Sequence, residues 1–175
     1  MSRTANLEAA FSFVIVVADT FVIVNLVRVG HDRLLQKIYG EVWIPTKVAE
    51  EFRWQASVNP RFHGLSLPDW LQTRDPAAIP QNLRDNDRLD PGECAALALA
   101  VEIQADAILI DEENGREIAS EMGLKRVGIL GILLRAKNDG LVSSLTPVFD
   151  SLQRDANFWI SPALREHVLR QAGEI

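Results

Sequence analysis

Hydrophobic positions along the chain form two kinds of segment that alternate with each other. Continuous apolar runs at residues 14–18 and 107–110 have the character of parallel strands that are buried on both faces. A shorter run at residues 42–44, and the position of Val127 just before a glycine, indicate two further short strands. Since strands that alternate with helices form βαβ crossovers, the pattern predicts an α/β fold with a parallel sheet.

Helices are predicted where apolar positions recur at helical spacing and where proline or glycine marks an end. They are expected at residues 20–29, 32–39, 45–54, 94–104, 112–122, 129–138, 147–154 and 163–171. Residues 55–66, which contain an Asn-Pro pair, are expected to form a loop. Residues 67–73 are expected to hold a short strand or a turn, and a polar stretch follows at residues 75–90.

A single domain is expected to include residues 1–175, with a core at about 13–140 and a helical extension at about 145–172. The apolar run at residues 11–29 is long enough to raise the question of whether it spans a membrane. Asp19 interrupts this run, and the part before Asp19 is too short to cross a bilayer. We therefore expect a buried strand followed by a helix there, and no association with a membrane.

The charge of the chain bears on its partners. The formal net charge is -6 and the pI is about 5.1. A protein that binds phosphates over a broad face is normally basic, so the net charge argues mildly against nucleic acid. It fits a site crowded with carboxylates that a metal ion neutralises. Cys94 is the single cysteine, which excludes a disulfide within the chain and favours a reducing cytoplasm.

Two aspartates directly follow the two clearest strands. Asp19 comes after the run at residues 14–18, and Asp111 comes after the run at residues 107–110. Ligands of open α/β sheets bind outside the carboxyl ends of the strands, so neighbouring strands would bring both carboxylates to one place. Like charges so close need a cation or a shared proton, and oxygen ligands favour Mg²⁺ or Mn²⁺. Alternatively, each aspartate only caps the helix that follows it.

Two glutamates are further candidates. Glu93 ends the sequence Asp-Pro-Gly-Glu at residues 90–93, which has the form of a helix capping box, and capping alone can explain it. A helix that begins there also projects its first-turn carboxylate toward the edge of the sheet, whereas Asp90 is expected to be the cap. In the third predicted helix, Glu51 borders the apolar face and is the better candidate, because Glu50 is expected to face solvent.

Five stretches of the chain occur in an informative order. They are Val-Val-Ala-Asp19-Thr20 with Asn25-Leu26, Ile44-Pro45 with Val48-Ala-Glu-Glu51-Phe52, Leu89-Asp-Pro-Gly-Glu93, Ile-Leu-Ile-Asp111 with Gly115-Arg116, and residues 128–137. In this order they resemble the PIN-domain superfamily of nucleases, close to its VapC-like branch of toxins. The resemblance covers roughly residues 13–140.

The resemblance implies a three-layer α/β/α sandwich with a central parallel sheet. It also implies a ribonuclease that hydrolyses RNA phosphodiester bonds with Mg²⁺ or Mn²⁺ held by a cluster of acids. Carried over by position, the catalytic acids are Asp19, Glu51, Glu93 and Asp111. Of these, Asp19, Glu93 and Asp111 are expected to hold the metal, and Glu112 is expected to be an outer member.

Other polar residues receive secondary roles from the same resemblance. Thr20 would orient Asp19 or a metal-bound water, and Asn25 would serve a similar polar role. Arg116, which lies shortly after Asp111, is the best-placed basic residue for a contact with RNA. The tryptophans are expected to pack in the core or in an interface rather than stack on bases; they are Trp43, Trp54, Trp70 and Trp159.

One departure from the family pattern supports other interpretations. Phe21 follows Asp19-Thr20, where the resemblance leads us to expect a small polar residue. This substitution and the acidic charge support an alternative to the ribonuclease. In this alternative the chain is a PIN-like binding or regulatory module with a weak or inactive site. A third interpretation is a toxin that an antitoxin protein holds inactive. The apolar segment 157–160 and the helix after it are expected to pack on the domain or to form a homodimer.

Overall fold

Five parallel strands form the sheet around which the chain is arranged. The computed structural model describes residues 14–175, so the predictions made for residues 1–13 lie outside the described residues. The strands lie in the order β3-β2-β1-β4-β5, and every pairing is parallel. They are β1 (Val14–Ala18), β2 (Gly40–Ile44), β3 (Gln72–Thr73), β4 (Ala107–Leu109) and β5 (Arg126–Val127). The predicted parallel sheet is confirmed, with β1 at its centre.

Nine helices flank this sheet within residues 14–175, and the architecture is the predicted three-layer α/β/α sandwich. They are α1 (Thr20–Arg28), α2 (Arg33–Tyr39), α3 (Thr46–Val58), α4 (Gln81–Arg84), α5 (Pro91–Glu102), α6 (Glu113–Glu121), α7 (Ile129–Asn138), α8 (Thr146–Asp155) and α9 (Pro162–Gln171). No helix in this part of the chain has the length and apolarity needed to cross a bilayer.

Three helices differ from the prediction, and one of them, α5, begins at Pro91 and not at Cys94. Helix α3 continues to Val58, although residues 55–58 were expected to belong to a loop. No residue before Asn59 breaks a helix, and Asn59 leaves the helical conformation because the next residue is a proline. Helix α4 forms within the stretch read as polar, and its Leu83 is buried with 1% of its surface exposed. One apolar side chain is too weak a periodic signal to predict such a short helix.

Helix α5 is buried on nearly all sides and places the first candidate acid inside the molecule. Residues 92–100 are all buried, and α5 contacts both α3 and strand β1. Its many alanines allow the backbone to approach these neighbours closely. Because the helix begins at Pro91, Glu93 lies in its first turn, near enough to Asp19 at the end of β1 to raise the pKa of that buried carboxyl further.

The C-terminal helices α8 and α9 pack against the core, and hydrogen bonds of Glu174 hold the end of the chain at the start of α8. The Glu174 carboxylate accepts hydrogen bonds from the hydroxyl of Ser144 (2.9 Å), from the hydroxyl and amide of Thr146 (2.9 and 3.2 Å) and from the amide of Leu145. The Lys137 ammonium lies 3.5 Å away. Burial alone would raise the pKa of Glu174, but these hydrogen bonds outweigh it and lower the pKa to about 2.

We predict that Glu174→Gln lowers the free energy of unfolding by about 1–2 kcal/mol, because an ionised cap at the start of α8 is lost. In the wild type this contribution is complete above pH 4.5, the ordinary glutamate pKa, and disappears as the pH falls toward about 2. Urea unfolding between pH 3 and 7 measures it. Glu166→Gln, which removes an exposed carboxylate paired with Arg170, is the control. An equal loss in both variants would contradict the prediction.

Candidate functional site

Asp19 is buried at the carboxyl edge of the sheet and is not explained as a helix cap. It directly follows β1, and its amide donates to the carbonyl of Leu109 in the adjacent strand (2.9 Å). Asp19 occupies the N-cap position of α1, yet its side chain makes no capping hydrogen bond. Only 2% of its surface is exposed, and among the described residues its Oδ1 atom has no hydrogen-bond partner. An unpartnered buried carboxylate oxygen is costly unless something else binds it.

Glu93 is explained by capping only in part. Asp90 Oδ1 accepts from the amide of Glu93 (2.7 Å), and Glu93 Oε2 accepts from the amide of Asp90 (2.9 Å), so the predicted capping box is present. The other oxygen, Glu93 Oε1, is buried and has no partner among residues 14–175. With 1% of its surface exposed, Glu93 is the second acid here with an unsatisfied oxygen.

Asp90 and Glu112 complete a cluster around Glu93. One carboxylate oxygen from each of Asp90, Glu93 and Glu112 lies within 4.8 Å of the other two. Glu112 was expected as an outer member, whereas Asp90 was expected to act as a cap alone. The capping box indicates part of this cluster in the sequence, because it holds the carboxylates of Asp90 and Glu93 at one place, whereas the approach of Glu112 depends on the tertiary fold.

Glu51 joins three helices beside this cluster. Its Oε1 accepts from the amide of Gly92 (2.9 Å), and its Oε2 accepts from the hydroxyl of Thr20 (2.9 Å). The Thr20 hydroxyl therefore orients Glu51 in this structure, and its expected role toward a metal-bound water stays a prediction. Asn25 is buried next to the site, where its side-chain amide donates to the carbonyl of Phe21 within α1 (2.6 Å).

Asp111 accepts a hydrogen bond from the start of helix α7 and lines grooves other than the cavity that Asp19 lines. Its Oδ2 accepts from the amide of Ile129 at the start of α7 (2.6 Å), and together with Arg116 it lines a neighbouring groove. The register of the strands explains the difference. Ala18 pairs with Leu109, so Asp111 lies one residue farther past the sheet than Asp19 does, and alternate residues point to opposite faces. The strands are adjacent as expected, and a shared metal site of the two carboxylates stays a prediction.

A cavity of about 500 Å³ opens above the cluster. It contains four of the carboxylates together with polar, aromatic and basic side chains. Its lining includes Asp19, Glu51, Asp90, Glu112, Thr20, Phe21, Asn25, Trp54, Gln55, Asn59, Arg61 and Phe62. Glu93, which is almost completely buried, is not part of this lining.

The carboxylates of the site repel one another. Burial, with added repulsion from Asp90 and Glu93, holds the pKa of Asp19 well above its usual range. Burial and the charges of Asp90, Glu112 and Glu51 raise the pKa of Glu93 to about 7, although the hydrogen bond from the Asp90 amide opposes the shift. The pKa values of Glu51 and Glu112 are also raised, first by burial. Within residues 14–175, no lysine or arginine forms an ion pair with any of these acids.

Glycines keep space open beside the acids. A Cβ atom at Gly92 would lie 2.1 Å from Glu51 Oε2, and one at Gly115 would lie 2.7 Å from the unsatisfied Glu93 Oε1. The site thus combines unpartnered buried oxygens, mutual repulsion and ligands that are all oxygen atoms. This combination fits a hard divalent cation such as Mg²⁺ or Mn²⁺, because both prefer oxygen ligands.

The fold and the site define this chain as a parallel α/β/α sandwich that carries a group of acids at the carboxyl edge of its sheet. The family model DUF3368, described as a PIN domain, matches residues 15–174. The chain therefore belongs to the PIN-domain superfamily, whose members are generally metal-dependent nucleases. No curated protein matches the chain.

We predict that Glu93→Gln makes the metal-free protein more stable at pH 8. The pKa of Glu93 is about 7 in the folded protein against an ordinary 4.5, so ionisation costs stability as the pH rises through this interval. The neutral amide avoids a cost of up to about 3 kcal/mol. Urea unfolding in EDTA at pH 5 and pH 8 measures it, with the exposed Glu113→Gln as control. A Glu93→Gln protein that is less stable at both pH values would refute the predicted repulsion.

We predict that Gly115→Ala lowers stability by about 1–3 kcal/mol, although alanine is the better helix former. The new Cβ would lie 2.4 Å from Ile110 Cδ1 and 2.7 Å from Glu93 Oε1, so the acid or the helix has to move. Thermal unfolding and the affinity for Mn²⁺ should both decrease. Gly131→Ala is the control, since its Cβ would meet only Val127 Cγ1, at 3.2 Å. A stabilised Gly115→Ala protein with unchanged affinity would show that this space has no role.

Proposed function

We propose that this protein is a metal-dependent ribonuclease whose site is the acidic cluster at the carboxyl edge of the sheet. The observation that carries the proposal is the pair of buried, unpartnered oxygens, Asp19 Oδ1 and Glu93 Oε1. Hydrogen bonding within the described residues leaves both oxygens unsatisfied, and burial makes that costly. Membership of the PIN-domain superfamily supports hydrolysis of a phosphodiester bond as the reaction.

The chain's own residues divide into two groups in this proposal. Asp19 and Glu93 would hold Mg²⁺ or Mn²⁺, and Asp90 and Glu112 would complete its surroundings. When bound, such a cation supplies positive charge that polarises a phosphate and activates water. Glu51 keeps the start of α5 against α1 through Gly92 and Thr20, so it positions the acids.

Basic residues would bring RNA to this acidic surface. Arg116 borders the neighbouring groove beside Asp111, and Arg61 lines the acidic cavity itself. Contacts from such side chains to phosphates compensate locally for the net charge of -6. Asp111 would act there mainly by capping α7, while its closeness to Glu112 keeps it in the electrostatic surroundings of the site.

A narrower form of the proposal is a VapC-like toxin that acts in the cytoplasm and is restrained by an antitoxin protein. The buried thiol of Cys94, which donates to the carbonyl of Leu83 (3.1 Å), suits a reducing compartment. Trp159 and Leu164 leave apolar surface exposed, 77% and 45% respectively, which suits an antitoxin or a homodimer contact.

We predict that Asp19→Asn and Glu93→Gln abolish both Mn²⁺ binding and RNA cleavage. The loss should exceed about 100-fold, because even the outer partners of metal ligands are worth about 10–100-fold. Calorimetric titration with Mn²⁺ and Mg²⁺ and a cleavage assay on single-stranded and structured RNA measure the two effects. Glu50→Gln is the matched control for charge, since Glu50 is exposed and pairs with Lys47.

Other results of these two measurements would contradict either the nuclease or the metal site. Metal binding that disappears in the variants while the wild type cleaves no RNA would support the regulatory module instead of the nuclease. Unchanged metal binding in folded Asp19→Asn and Glu93→Gln would refute the site. Asp111→Asn should reduce stability more than metal affinity, because the Asp111 carboxylate caps α7. An equal loss of affinity would add Asp111 to the metal ligands.

A further inference from the structure

Trp54 is exposed inside the acidic cavity. It lies on α3 one helical turn after Glu51, and both side chains line the same cavity. The core-facing residues of this helix, Val48 and Phe52, are completely buried, whereas 60% of the surface of Trp54 is exposed. Trp54 therefore does not pack in the core, which was one of the two expected places, and packing in an interface stays a prediction. A large aromatic surface left in water beside a group of acids lacks a packing explanation.

The turn after α3 is held in a defined conformation next to Trp54. Asn59 donates from its side-chain amide to Gln55 Oε1 (3.2 Å), and its Oδ1 accepts from the amide of Arg61 (3.1 Å). Phe62 follows and is buried, which anchors the turn to the domain. These contacts present Arg61 at the mouth of the cavity.

Arg61 is a positive charge among carboxylates. It is exposed, and within residues 14–175 its guanidinium makes no ion pair and no hydrogen bond. An arginine that neutralises the acids is expected to form ion pairs with them, and Arg61 forms none within the described residues. Its guanidinium therefore remains available for an anionic ligand that enters the cavity.

We propose that Trp54 and Arg61 form a nucleotide subsite at the mouth of the acidic cavity, where a base of single-stranded RNA stacks on Trp54 while Arg61 contacts an adjacent phosphate. The subsite rests on the proposed ribonuclease function and defines its substrate as unpaired RNA. Aromatic stacking requires a base whose face is free, and bases within a duplex are already stacked. The cationic and aromatic pair thus supplies the affinity for RNA that the acids cannot supply.

The test compares Trp54→Ala, Trp54→Phe and Arg61→Gln with two control variants on α3, the helix that carries Trp54. Arg53→Gln removes an exposed positive charge, and Val58→Ala removes exposed apolar surface, and neither residue lines the cavity. Binding of a labelled single-stranded RNA heptamer is measured by fluorescence anisotropy with Ca²⁺ in place of Mg²⁺, and the RNA is checked for integrity afterwards. Cleavage in Mg²⁺ is measured separately.

The expected result is a loss of affinity of about 5- to 100-fold in Trp54→Ala, the usual range for one base stacked on an aromatic ring. Trp54→Phe should retain most of the affinity. Arg61→Gln should weaken binding and reduce the slope of log affinity against log salt by about 0.7. In cleavage, Trp54→Ala should raise KM more than it lowers kcat, because a binding contact away from the bond is removed.

The subsite is overturned if Trp54→Ala binds the heptamer as tightly as the wild type, if Arg53→Gln and Arg61→Gln are equally impaired, or if the wild type does not bind the heptamer. The ribonuclease proposal is judged on cleavage alone. Wild-type cleavage with no effect of Trp54→Ala refutes only the subsite. Binding that depends on Trp54, without wild-type cleavage, supports the subsite and refutes the nuclease.

Discussion

Repulsion among carboxylates that are buried together is the constraint on which the carboxyl edge of this sheet depends. Burial raises the pKa values of Asp19 and Glu93, which are almost completely buried, and the charges of Asp90 and Glu112 raise them further. A fold tolerates such a group only if protons or a cation balance it. The surrounding scaffold therefore has to hold the acids in place against their own repulsion.

The contacts that hold the acids are the same contacts that hold the fold. The capping box begins the buried helix α5, and the same hydrogen bonds orient Asp90 and Glu93. Glu51 links α1, α3 and α5 through one carboxylate, and Asp111 links β4 to the start of α7. Stability and site geometry are thus coupled here, so changes to these residues affect both. Such coupling limits how freely the site can vary without loss of the fold.

Local sequence patterns sufficed for the strands, for most helices and for the acids near the sheet edge. The apolar runs are short-range signals, and Asp19 and Glu93 follow from their positions after a strand and at a helix start. The direction of Asp111 depends on strand register, which pairing across the sheet decides. The place of Asp90 in the acidic cluster depends on Glu112, which is distant in sequence. The exposure of Trp54 depends on how α3 is rotated against the core, and tryptophan usually favours burial.

The two outer strands of the sheet, β3 and β5, are only two residues long. A strand of this length offers few free backbone donors and acceptors, so another chain gains almost nothing by extending the sheet at either side. Self-association through continuous β-pairing, including the kind that leads to ordered aggregates, is therefore disfavoured in the described part of the chain. Within residues 14–175, side-chain surfaces are therefore better suited to assembly than the edges of the sheet, and point mutations can alter them without disturbing the strands.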